Sequence, residues 1–167
     1  MTTSTAGTTT TAGTTPTPHS PRLNFYKLAP GVYQPLLNAH LAAKKGLGDD
    51  VLAELVLIRA SQINHCAFCL DMHIKDAQKA GVSEERIHLL NAWEEATGHY
   101  TAREQAALAL TEAVTVLTDG FVPDAVYERA AAHFEERELA HLIALITTIN
   151  MWNRINVAVR QPIGAGA

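Results

Sequence analysis

Cysteine is the scarcest reactive residue in this chain: among 167 residues there are two, Cys66 and Cys69, three positions apart. A small secreted domain stapled by disulfides spreads several pairs over distant loops, so that architecture is excluded. Aromatic residues make up only 6% and charged residues 18%. Cations are in the minority, 13 against 17 acidic residues, for a net charge of -4. The chain therefore lacks the basic footprint that nucleic acid or an anionic membrane surface would require. No uninterrupted apolar run approaches the ~20 residues of a membrane span. The N-terminus has neither the charged and apolar regions of a secretory signal nor the arginines of a transit peptide, and Arg22 is the first arginine. The expected compartment is the cytoplasm. Finally, no segment alternates with period two over a strand's length.

What is present is helix-forming. Apolar residues reach 47%, enough for one domain with its own core. Residues 1–20 are half threonine, with no large apolar side chain after Met1. Such a segment cannot offset its ordering entropy and is expected to be a disordered tail, leaving 21–167 as the folded domain. From Pro21 the pattern is all-α. A short helix is expected from Tyr33 to Lys45, with Pro35 in its first turn. Asp49 or Asp50 caps a helix from Val51 to Ile63 that is apolar on nearly every face. The next begins near Cys66 and stops at Gly81. Ser83 caps a third, reaching Trp93, and Thr101 with Glu104 forms a capping box for a helix to Leu117. Pro123 suits the first position of a helix ending near His133. The last helix runs from Glu136 to Val159, with Leu139, Leu142, Ile143, Ile146, Ile149 and Val157 on one stripe.

The chemistry gathers on the helix after Ile63. Cys66, Cys69 and His73 stand at i, i+3 and i+7, one face, and the i, i+3 separation suits a disulfide that closes with little backbone movement. A helix N-terminus favours thiolate through its free N–H groups and dipole. His73 can take a thiol proton near working pH. A thiol with a base in reach and a second thiol to resolve a sulfenic acid is the minimal equipment of a thiol peroxidase. On the residues alone, Cys66 is favoured as nucleophile because it lies nearer the helix start and is expected to be the more exposed of the two. Glu54 shares its helix face with Val51, Leu57 and Ile58, so its carboxylate is expected to be buried and to need a partner. The short exit Ser61-Gln62-Ile63-Asn64 would bring it to His73, giving a relay of thiol, His73 and Glu54. The competing metal reading takes Cys66, Cys69, His73 and Glu54 as zinc ligands, but no second Cys/His pair completes a structural site. Inert packing of both cysteines is the other alternative. His40, His88, His99, His133 and His141 read as ordinary surface or capped histidines, and Asn150, Trp152 and Asn153 as a hydrogen-bonded buried cluster.

The run from Glu54 through Cys66-Ala67-Phe68-Cys69 to His73 resembles the core motif of AhpD-like alkylhydroperoxidases of the carboxymuconolactone decarboxylase superfamily. That pattern has a glutamate, twelve residues to the first cysteine, then CxxC, then a histidine four residues after the second cysteine. All four positions match, and the similarity covers Val51 to Ile87, more loosely Ile149 to Arg154. The resemblance implies an all-helical homo-oligomer that reduces organic hydroperoxides through a cysteine disulfide cycle. Its partners would be a hydroperoxide and an unidentified dithiol or protein reductant, with no cofactor. It assigns attack to Cys69, resolution to Cys66 and proton movement to His73 and Glu54, reversing the order that the residues alone favour. One position departs: well-known members carry histidine immediately before the second cysteine, where this chain has Phe68. Lactone decarboxylases of the same superfamily generally lack the cysteine pair. A non-catalytic redox sensor and a general disulfide reductase stand as alternatives of different kinds.

Overall fold

The structure, a computed structural model, describes residues 20–96 and 98–164. Apart from Ser20, the stretch expected to be a disordered tail lies outside the described residues. The described residues hold eight α-helices and no strand: α1 Phe25–Leu28, α2 Pro30–Leu47, α3 Asp50–Ile63, α4 Ala67–Lys79, α5 Glu84–Leu89, α6 Ala102–Thr115, α7 Asp124–Ala131 and α8 Glu136–Val159. A 3₁₀ turn, Leu90–Ala92, follows α5.

The caps explain most of the boundaries. The Asp49 carboxylate accepts from Leu52 N–H (3.0 Å) at the start of α3, and the Ser83 hydroxyl accepts from Arg86 N–H (3.3 Å) at the start of α5. The expected capping box of α6 is formed by Thr101 and Glu104, and a second, not foreseen, opens α8 through Glu135 and Glu138. Helix α2 is longer than expected because Pro30 itself serves as a first helical residue, where its missing N–H is no loss. Pro35 therefore falls in the second turn, inside the helix, and removes the backbone bond to Gly31. Helix α5 stops at Leu89 rather than Trp93, and α6 stops at Thr115. Pro123 is the N-cap of α7 rather than its first residue, so the helix begins one place later than expected, at Asp124.

Helix α3 is the centre of the bundle. Leu52, Val56 and Leu57 join Leu47, Leu110, Leu142, Leu145, Ile146 and Ile149 in one apolar cluster. Leu55 and Ile58 point the other way, into a cluster with Ala77, Val82, Ile87, Leu90, Trp93 and Leu108. A helix buried on both sides must be apolar all round, which is the pattern read from its sequence. Each fully buried Leu or Ile contributes roughly 1.5–3 kcal/mol. Helix α8 is long and apolar enough to cross a bilayer by composition (24 residues, mean hydropathy 1.2). Here it is a spine packed against α2, α3 and α6, carrying buried Asn150, Asn153 and Asn156. Its expected stripe is corrected at one end, where Val157 is exposed. Along the α2–α8 crossing, Gly46 lies against the His141 ring, so closely that a Cβ would overlap the imidazole.

The connection that positions the site is the turn from α3 to α4. His65 takes the left-handed conformation (φ 53°) where glycine is usual. Cys66 N–H bonds Ser61 C=O (3.0 Å) and His65 N–H bonds Gln62 C=O (3.2 Å). This is the Schellman pattern. Cys66 thereby ends α3 and serves as N-cap of α4 at once, and α4 folds back along α3.

Candidate active site

Both cysteines are free thiols, and each is 1% exposed. Cys66, expected to be the more accessible, is as buried as Cys69. What separates them is the cavity, with a volume of about 90 Å³, whose walls include Cys69 but not Cys66. Tyr26, Tyr33, Phe68 and Trp152 supply its aromatic walls; Leu37, Met72 and Ile149 its aliphatic ones; His40, His73 and Asn156 its polar atoms. Tyr33 meets Tyr26 and Trp152 edge-on, with ring centres 5.0 and 5.7 Å apart.

Three donors converge on the Cys69 sulfur. It lies in the first turn of α4 and hydrogen-bonds Cys66, Asn156 and Asn153; the Asn156 Nδ2 distance is 3.4 Å. Tyr26 Oη donates to Asn156 Oδ1 (2.7 Å), which fixes the amide with its N–H toward sulfur. Burial pushes the Tyr26 phenol up to about 12, with the neighbouring Cys69 adding to the rise, so it stays a donor. The Cys66 hydrogen bond, ahead of Asn156, Asn153 and the His73 charge, holds the Cys69 thiol below its ordinary value against burial. The same bond, with burial, pushes Cys66 up. The pair is thus split into one sulfur poised as thiolate and one held as thiol.

Glu54 is buried, as its apolar flanks implied, and has two partners. His73 Nδ1 lies 2.9 Å from Oε2, and Lys44 Nζ donates to Oε1 at 2.5 Å. Burial raises the Glu54 carboxyl, but the His73 bond and then Lys44 outweigh it, and the net value falls below the ordinary one. The reciprocal effect raises Lys44 despite its own partial burial. An ionised Glu54 fixes the tautomer: Nδ1 carries the proton and donates, leaving Nε2 as an acceptor. That Nε2 is buried without a hydrogen-bond partner among the described residues. The relay foreseen from sequence is therefore joined at Glu54–His73, while its thiol end opens through Nε2 rather than a direct bond to sulfur.

The zinc alternative finds a different geometry. Among the described residues, the grouping of possible ligand atoms within 4.8 Å of one another is Glu54, His73 and Asp76. Neither cysteine belongs to it, and Lys44 already brings a positive charge to Glu54. His40 corrects the sequence reading: it is 8% exposed and bonds Thr148 Oγ1 at 3.0 Å on a cavity wall. Trp152 lines the cavity as well, whereas Asn150 and Asn153 are tied to Thr115, Asn64 and Ser61. Sequence reasoning missed Lys44, Tyr26 and Asn156, which lie 10, 28 and 102 positions from Glu54 and carry no local signature.

The fold and site define a helical protein built around a CxxC pair and a carboxylate-backed histidine. A family model for the carboxymuconolactone decarboxylase family matches residues 30–113, and the chain belongs to that family as an AhpD-like member. Two curated relatives are uncharacterised. The Bacillus subtilis protein YdfG is 39% identical over 140 residues, spanning 84% of this chain and 95% of its own. The Escherichia coli protein YnjA is 34% identical over 123 residues, 73% of this chain and 66% of its own. A crystal structure from Agrobacterium tumefaciens superposes with a TM-score of 0.83 at 33% identity, covering 88% of this chain and all of that one. That protein is of unknown function, with a suggested role in antioxidant defence as AhpD.

Proposed function

We propose that this protein reduces organic hydroperoxides through a Cys66/Cys69 dithiol–disulfide cycle, with Cys69 as nucleophile. The observation that carries the reading is Cys69 Sγ on the wall of an apolar cavity, ringed by donors and sharing that cavity with the unpartnered Nε2 of His73. The thiol proton passes to His73 Nε2, and Glu54 pairs the imidazolium that forms. The Cys69 thiolate attacks the terminal peroxide oxygen, the O–O bond breaks, and the alkoxide leaves as alcohol with the proton from His73. Cys69 is now a sulfenic acid. Cys66 was raised chiefly by its bond to Cys69, and oxidation of Cys69 removes that cause. Its sulfur attacks Cys69 Sγ, water departs, and a disulfide forms. A dithiol or protein reductant then returns two protons and two electrons. Phe68 between the cysteines leaves His73 as the general base of α4.

The cycle calls for a compartment that keeps the pair reduced, and the cytoplasm is the one we assign. Neither nucleic acid nor a membrane takes part. Exposed apolar side chains, among them Leu28, Val32 and Leu41 of α1 and α2, support a homo-oligomer. The test is turnover: the reduced protein should consume cumene hydroperoxide catalytically with a dithiol donor. A single equivalent consumed without turnover would contradict the enzyme and favour a redox sensor.

A further inference from the structure

A second imidazole faces the same cavity from the opposite helix. His40 sits on α2 and lines the space with Cys69 and His73, its ring centre 6.4 Å from that of His73. The tautomer of His40 follows from its neighbour. Thr148 Oγ1 donates its own proton to Leu145 C=O (3.0 Å), so toward His40 Nδ1 (3.0 Å) it can only accept. His40 therefore carries its proton on Nδ1, and Nε2 is a bare lone pair with no hydrogen-bond partner among the described residues. The cavity thus offers two imidazole acceptors, alike in tautomer and different in backing. Behind His73 stands a carboxylate, which pairs an imidazolium. Behind His40 stands a neutral hydroxyl, which cannot.

Resting on the peroxidase reading above, we propose that His40 is a further catalytic residue: its Nε2 accepts the terminal O–H of the hydroperoxide and aims that oxygen at Cys69 Sγ. The two histidines then divide the labour. His73 receives the thiol proton and returns it to the alkoxide as the O–O bond breaks. The proton that His40 holds by hydrogen bond is never transferred; it stays on the terminal oxygen, which becomes the hydroxyl of the Cys69 sulfenic acid. Atoms and electrons balance, with sulfur oxidised by two electrons and the peroxide reduced by two. This role needs an imidazole that stays neutral. Burial, with the His73 charge next, pulls His40 down to about 4, so it remains an acceptor throughout the neutral range.

The test compares two reactions of one sulfur. Reduced wild type, His40→Phe and Thr148→Val are each mixed with tert-butyl hydroperoxide, which has an O–H to hold, and with iodoacetamide, whose alkylation of Cys69 has none. The expected result for His40→Phe is peroxide oxidation slowed about tenfold, the factor lost with one well-placed hydrogen bond, with iodoacetamide alkylation within twofold of wild type. Thr148→Val, which is close in shape and frees the His40 tautomer, should slow the peroxide reaction about threefold and spare alkylation. It carries the test alone if the phenylalanine variant does not fold. Equal loss of both reactions, or no loss of the peroxide reaction, overturns the role of His40 and leaves the peroxidase reading standing. A wild-type protein that alkylates at Cys69 but is inert to the peroxide overturns both.

Discussion

Replacing Asn156 by Leu tests how the Cys69 thiolate is held. The side chains are similar in volume, so the change removes the Nδ2 donor at 3.4 Å from Sγ without opening a hole. A hydrogen bond to a charged group contributes ~1.5–3 kcal/mol, and the long contact to diffuse sulfur puts this one nearer ~1 kcal/mol. With RT of ~0.59 kcal/mol, thiolate population below the ionisation midpoint falls about fivefold. The variant also strands the Tyr26 hydroxyl, which loses its acceptor at 2.7 Å. Tyr26→Phe combined with Asn156→Leu removes that side effect and should react like Asn156→Leu alone while folding more stably. The assay is iodoacetamide alkylation of the Cys66→Ser background from pH 5 to 9. Both variants should be about fivefold slower on the acid side and should reach the wild-type plateau at high pH. Superimposable profiles would refute the claim that this amide supports the thiolate.

Other consequences follow from single contacts. Glu54→Gln removes the charge that backs His73, so Cys69 alkylation should shift to higher pH; an unchanged profile breaks the relay. The Glu54 carboxyl sits below its ordinary 4.5 in the folded protein, so its stabilisation is present above that pH and lost as pH falls below it. Between pH 5.5 and 3.5 the urea midpoint of wild type should therefore drop more than that of Glu54→Gln. Gly46→Val should destabilise the fold by about 1–3 kcal/mol through overlap with the His141 ring, read as a lower Tm, and His141→Ala should restore at least half. Thr101→Ala loses one half of the α6 capping box and should cost about 1 kcal/mol by chemical denaturation.

Local patterns carried far in this chain. The helices α3, α4, α6 and α8 were legible because caps and periodicity are written within a few residues, as at Asp49, Thr101 and Gly81. Glu54 was legible because a lone carboxylate on an all-apolar helix must be buried and partnered. The boundaries of α2 and α5 were not, since Pro30 can end a turn or begin a helix and only packing decides. His65 gave no warning of a left-handed turn where glycine is the usual residue. The polar surroundings of the site were hidden for a different reason. Asn156, which reaches Cys69, Lys44, which reaches Glu54, and Tyr26 and His40 on the cavity wall come from three other helices, and an asparagine or histidine on a buried helix face looks the same whether it serves a site or merely satisfies the backbone.

The most direct measurement is mass spectrometry of the reduced Cys66→Ser and Cys69→Ser variants after one equivalent of hydroperoxide. The account predicts a trapped sulfenic acid on Cys69 when serine replaces Cys66, and an unoxidised protein when serine replaces Cys69. A sulfenic acid on Cys66 in the second variant, with Cys69 unmodified in the first, would contradict it.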